Sequence, residues 1–99
     1  MLTQQNIPQF LAGNKRKLEE HFGVERIGLF GSFATGNALS QSDVDILVSF
    51  KKGTNGLHEK KTGLQQYLKQ AYHRDVDICT ENYIKPYFKK QTLKQAIYV

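Results

Sequence analysis

Apolar residues recur at helical spacing early in the chain, at Ile7, Phe10, Leu11, Leu18 and Phe22. The pattern predicts one helix over residues 7–22. Thr3 or Asn6 is its expected N-cap, Pro8 fits only in its first turn, and Gly23 is placed for a left-handed C-cap. Gly13 weakens its middle. Residues 24–30, apolar toward their end, predict a strand that runs into a tight turn at Gly31-Ser32. Residues 33–38 predict a short helix stopped near Gly36-Asn37, followed by turn formers at 40–42.

Alternation then sets in. Over residues 43–50, Val44, Ile46 and Val48 share one face of a predicted strand, and Asp43, Asp45 and Leu47 share the other. A polar turn with two glycines fills 51–56. Leu57, Leu64, Leu68 and Ala71 mark a long helix ending near Tyr72. Residues 74–80 predict a third strand, with Val76 and Ile78 on one face and Asp75, Asp77 and Cys79 on the other. A last helix is expected over 81–96, with Thr80 as N-cap and Pro86 in an early turn. The order α-β-α-β-α-β-α indicates an α/β fold, read as one domain over residues 1–99.

Composition changes this picture little. The chain has 99 residues, 39% hydrophobic and 23% charged, as expected of an ordinary globular protein. Its +5 net charge suits an anionic partner, whether a nucleotide, a nucleic acid or an acidic protein; solubility alone is the plainer alternative. The lysine pairs 51–52, 60–61 and 89–90 are scattered, so no nucleic-acid stripe stands out and no direct nucleic-acid partner is expected. Cys79 is the single cysteine, which excludes an internal disulfide and suits a reducing compartment. No signal-like segment or membrane-length apolar run is seen, so a cytoplasmic protein with no membrane partner is expected.

The chemistry concentrates in three aspartates and one turn. Aspartate is disfavoured in strands. Two carboxylates on one strand face, Asp43 and Asp45, repel unless a cation lies between them. Their hard oxygens suit Mg²⁺ or Mn²⁺; a strand that merely begins in solvent is the plainer alternative. Asp77 repeats the pattern on the next strand. If the two strands are neighbours, three carboxylates share a face, an arrangement able to clamp both oxygens of a displacement at phosphorus. Asp75 points the same way and reads as a surface charge. Gly31-Ser32, at a strand end before a helix, offers backbone N–H groups and a hydroxyl to a phosphate; a plain turn is the alternative. No Gly-Lys-Ser/Thr follows, so this is not a Walker A loop.

In order, Gly31-Ser32-Phe33-Ala34-Thr35-Gly36 and Ser42-Asp43-Val44-Asp45-Ile46-Leu47-Val48 resemble the Gly-Ser…Asp-x-Asp signature of the polymerase beta nucleotidyltransferase superfamily. The resemblance is nearest to its minimal prokaryotic members, the MNT antitoxin-type proteins. Asp75-Val76-Asp77-Ile78-Cys79-Thr80, then Ile84-Lys85-Pro86 and Ala96-Ile97-Tyr98-Val99, resemble the third-carboxylate strand and closing helix, so the likeness spans residues 7–99.

The resemblance implies a polymerase beta-like core, a small mixed sheet with packed helices. It implies that Gly31 and Ser32 hold the triphosphate of ATP or another nucleotide. Asp43, Asp45 and Asp77 would bind two Mg²⁺ ions, with Mn²⁺ as the alternative metal, and Asp77 would help activate the acceptor. It further implies an antitoxin that adenylylates a tyrosine of a HEPN-domain toxin. Many family members carry arginine where this chain has Thr35. A second reading is therefore an antitoxin with a weak or dead site that acts by masking its HEPN partner.

The remaining residues say less. His21, His58 and His73 lack ligand spacing. Cys79 reads as a small buried apolar residue, and the tyrosines as packing groups. Lys85, Lys89, Lys90 and Lys94 make the last predicted helix basic, either as a solvated face or as a dock for an acidic partner.

Overall fold

The computed structural model describes residues 5–36, 38, 43–81 and 94–99. The first helical pattern is realised as two helices, α1 (Asn6–Gly13) and α2 (Lys15–Phe22), not one. The break falls at Asn14, whose backbone leaves the helical region (φ −114°, ψ 11°). Its side-chain amide donates to the Phe10 carbonyl at 2.9 Å, and its oxygen accepts from the Tyr67 hydroxyl at 3.3 Å. A glycine followed by an asparagine that bonds the backbone itself is a weak helical pair, and that competition ends α1. The N-cap of α1 is Gln5, without a side-chain cap bond; Asn6 lies inside the helix, and Thr3 is outside the described residues. Gly23 closes α2 in the left-handed conformation (φ 69°), as its position predicts.

The strands are β1 (Val24–Phe30), β2 (Val44–Phe50), β3 (Val76–Thr80) and β4 (Ile97–Tyr98). Between them lie α3 (Ser32–Thr35) and α4 (Leu57–Tyr72). The α4 bounds match its apolar pattern, whereas α3 is shorter than the 33–38 expected and begins at Ser32. Of the last helix expected over 81–96, residues 82–93 lie outside the described residues, as do 40–42; Thr80 ends β3. The sheet order is β3-β2-β1-β4. β1 is antiparallel to β2 and β4, and β2 is parallel to β3, so the sheet is mixed as expected.

One face of the sheet meets the helices. Val44, Ile46 and Val48 are fully buried there with Ile27, Leu29, Leu64 and Leu68. Ile7 and Leu11 from α1 and Leu18 from α2 complete this cluster. The Tyr72 hydroxyl donates to the Ile7 carbonyl at 3.0 Å, tying α4 to α1.

On the opposite face Leu47 is also fully buried, beside Gly28 and Cys79 in the register. Strand β4 was not expected. It crosses β1 at Gly28, where a Cβ would meet the Ile97 carbonyl oxygen at 2.8 Å and the Tyr98 Cα at 3.1 Å. Among the described residues, no helix is long and apolar enough to cross a membrane.

Candidate nucleotide and metal site

Three chain segments converge on one edge of the sheet. β1 ends there at Phe30; β2 is antiparallel and begins there; β3 is parallel to β2 and begins there too. The register pairs Phe30 with Asp45 and Asp45 with Asp77. In-register residues on adjacent strands point to the same face, with strands about 4.8 Å apart. Two carboxylates therefore stand side by side across β2 and β3. Asp43 precedes β2 by one residue and is exposed, as is Asp77, while Asp45 is partly buried.

The field at this edge is unfavourable for three anions. Burial first, then the neighbouring Asp77, then Asp43, hold the Asp45 carboxyl above the usual carboxylate range. The three are coupled through that field but do not form a closed cage. Among the described residues, no group of three or more His, Cys, Asp and Glu side chains is gathered closely enough to hold a metal ion. The donor chemistry nonetheless fits a hard divalent cation, which would relieve the repulsion felt by Asp45.

Gly31 follows Phe30 with φ 74° and ψ −151°, a combination that glycine alone adopts readily. A Cβ there would overlap Asp45 Oδ2 and lie 3.0 Å from its Cγ. The turn and the carboxylate thus occupy adjoining space, so anything that binds one is beside the other. Ser32 opens α3 and is half-buried. Phe33 and Ala34 sink into the core and anchor this short helix. The exposed Thr35 turns its hydroxyl back to the Gly31 and Ser32 carbonyls, at 3.3 Å each.

The structure therefore brings Gly31, Ser32, Asp43, Asp45 and Asp77 to one edge. Asp75 is paired with Lys69 at 3.2 Å. His21, His58 and His73 are exposed. The Cys79 thiol is held above its usual range, first by burial and then by Asp45, with Lys61 opposing.

Two features escaped the sequence reading. The Arg74 guanidinium lies over the Phe33 ring, 6.0 Å from its centroid, which brings the start of β3 to α3. Glu81, almost wholly buried, accepts a 2.5 Å hydrogen bond from the Tyr98 hydroxyl. It lies 3.7 Å from Arg26, which also stacks on the Tyr98 ring at 4.5 Å. These residues are far apart in the chain, and only the sheet order unites them.

Comparison with known proteins shows what the whole chain is similar to. A family model described as a nucleotidyltransferase domain matches residues 11–99. The chain is similar to protein adenylyltransferase MntA of Thermococcus cleftensis, 38% identical over 99 residues that cover all of this chain and 98% of the relative. It also superposes on a solved candidate minimal nucleotidyltransferase with a TM-score of 0.80. That pair is 28% identical over 97% of this chain and 95% of the other. A chain from a toxin–antitoxin crystal structure with AMP-PNP matches with a TM-score of 0.66 and 25% identity, over 87% of this chain and 69% of that one.

Proposed function

The chain belongs to the nucleotidyltransferase domain family, and from that membership we propose that it is a protein adenylyltransferase and antitoxin, moving AMP from ATP onto a tyrosine of a HEPN-domain toxin. The family's enzymes generally work with divalent metal ions; Mg²⁺, as two ions, is the choice proposed here. The observation that carries the reading is the in-register pairing of Asp45 with Asp77 beside the Gly31 turn. Whole-length similarity to a protein adenylyltransferase supports the acceptor being a protein.

In this reading Gly31 and Ser32 bind the triphosphate tail through backbone N–H groups and the serine hydroxyl. Asp43, Asp45 and Asp77 would hold the metal ions. When bound, those ions neutralise the charge on the transferred phosphoryl group. The tyrosine oxygen attacks the α-phosphorus, the bond from that phosphorus to the bridging oxygen breaks, and pyrophosphate leaves. Asp77, exposed at the sheet edge, takes the phenolic proton and passes it to solvent.

Thr35 favours a second reading. It places no cation on α3, as expected of an antitoxin that masks its partner with a weakened site. Asp43→Asn with Asp45→Asn separates the two. It keeps both side-chain shapes and removes the charges that hold metal, and a partner docks over far more area than two carboxylates. The double variant should still bind the HEPN partner, with transfer reduced by roughly a hundredfold or more. Mass spectrometry of the co-expressed partner should show about 329 Da added per adenylyl group with wild type and none with the variant, beside loss of protection in a growth assay. Full protection by the variant, with the partner unmodified in both, establishes masking instead.

A further inference from the structure

The sheet face that carries the aspartates changes character along its length. In its middle row Gly28, Leu47 and Cys79 stand in register, and Leu47 is fully buried. Two residues nearer the site the row is Phe30, Asp45 and Asp77. Here the face opens: Asp77 is exposed, and Asp45 and Phe30 are half-buried.

Phe30 is the apolar member of that row. Alternation along β1 sends Ile27 and Leu29 to the helix face, where both are fully buried, and sends Phe30 to the other face. Directly opposed residues of an antiparallel pair share a face, with Cβ atoms about 5 Å apart. The phenyl ring therefore stands on the aspartate face beside Asp45, at the last residue before the Gly31 turn.

The site then reads in order across three strands: Asp77 on β3, Asp45 on β2, and Phe30 on β1 with Gly31 next in the chain. In the function proposed above, Asp77 takes the acceptor's proton, which puts the acceptor on the β3 side. Gly31 and Ser32 take the triphosphate tail, on the β1 side. The α-phosphate lies over Asp45 between them. The nucleoside is one ester link from that phosphate and needs a surface near Asp45 that the acceptor does not fill. Phe30 offers one of matching chemistry. A base laid on a half-buried ring removes apolar area of both from water, and stacking holds any base by its π-face without reading its edge.

We propose that the Phe30 ring, in register with Asp45 and next to Gly31, is the platform on which the base of the bound nucleotide stacks, so that affinity depends on the nucleoside as well as on the triphosphate. This deepens the nucleotide site proposed at Gly31 and Ser32 and rests on it.

Calorimetry on the full chain tests it, with Mg²⁺–AMP-PNP and Mg²⁺–tripolyphosphate as ligands, the second being a triphosphate without a nucleoside. Phe30→Leu, which keeps an apolar side chain and loses the ring, should weaken AMP-PNP binding about tenfold, the scale of one base–aromatic stack. It should leave tripolyphosphate within about twofold. Phe30→Tyr, which keeps the ring, should hold AMP-PNP affinity within about threefold of wild type. Phe30→Trp gives a second readout that does not depend on Phe30→Leu folding. The chain has no tryptophan, so this variant carries a single indole, whose emission a stacked base should quench and tripolyphosphate should not. Equal losses for both ligands in Phe30→Leu mean that the ring only supports the Gly31 turn, and they overturn the proposal. Unchanged AMP-PNP affinity overturns it too, and slower transfer to the partner in that case gives the ring to the acceptor instead. In either event the nucleotide site stands. A wild-type chain that binds neither ligand overturns the nucleotide site itself, and Phe30's role with it.

Discussion

Gly31 has two independent reasons to be glycine. Its backbone angles exclude other residues at modest strain, and its missing side chain leaves room for the Asp45 carboxylate. A branched side chain would therefore act on the turn and on Asp45 together. Gly31→Val should abolish detectable AMP-PNP binding while lowering stability by roughly 1–3 kcal/mol, the usual scale for strain at such a position. Calorimetry and a thermal melt check the two parts; a folded variant with wild-type affinity removes the turn from the site. Gly31 was legible in the sequence because a Gly-Ser pair ended an apolar strand. Asp43, Asp45 and Asp77 were legible because acidic residues interrupt Val/Ile-rich alternation. Arg74 and Glu81 were not, since a charge at an element end looks like any solvated charge until the fold supplies its neighbour.

At the scale of elements, long apolar patterns were readable and short ones were not. α4 and the three main strands have enough residues for period 3.6 or 2 to show. β4 has two residues, too few for any period, and is held by tertiary contacts: its pairing with β1 and the Tyr98–Glu81–Arg26 cluster. The break between α1 and α2 was hidden because the apolar stripe continues across Gly13-Asn14.

The β4 anchor has a pH signature. Burial, then the bond to Glu81, hold the Tyr98 phenol above the ordinary tyrosine range, with Arg26 opposing. Burial does the same for Tyr72. A group whose pKa is raised on folding stabilises the fold below its unfolded value, and that stability is lost as pH rises toward the folded one. The melting temperature should therefore fall steeply above about pH 10, the unfolded tyrosine value. Tyr98→Phe should make that fall shallower. It should also cost about 1–3 kcal/mol at neutral pH, by leaving Glu81 short of a donor. An alkaline limb identical in variant and wild type would deny Tyr98 this role.

For the whole molecule, topology turns scattered residues into a site. A parallel β2–β3 pair puts Asp77 beside Asp45, and an antiparallel β1–β2 pair brings Gly31 to the same edge. The motif order indicated the mixed sheet by resemblance; the register itself could not be read from alternation, which fixes faces but not neighbours. The central claim is that this edge binds a divalent cation together with a nucleoside triphosphate. An NMR titration of Mg²⁺ into the chain with AMP-PNP present tests it most directly. The account predicts Mg²⁺-dependent shifts at Asp43, Asp45 and Asp77 and at the Gly31 amide, stronger with the nucleotide than without, because Mg²⁺ shares its ligands with phosphate oxygens. No Mg²⁺-dependent shift at those aspartates in the presence of AMP-PNP would contradict it.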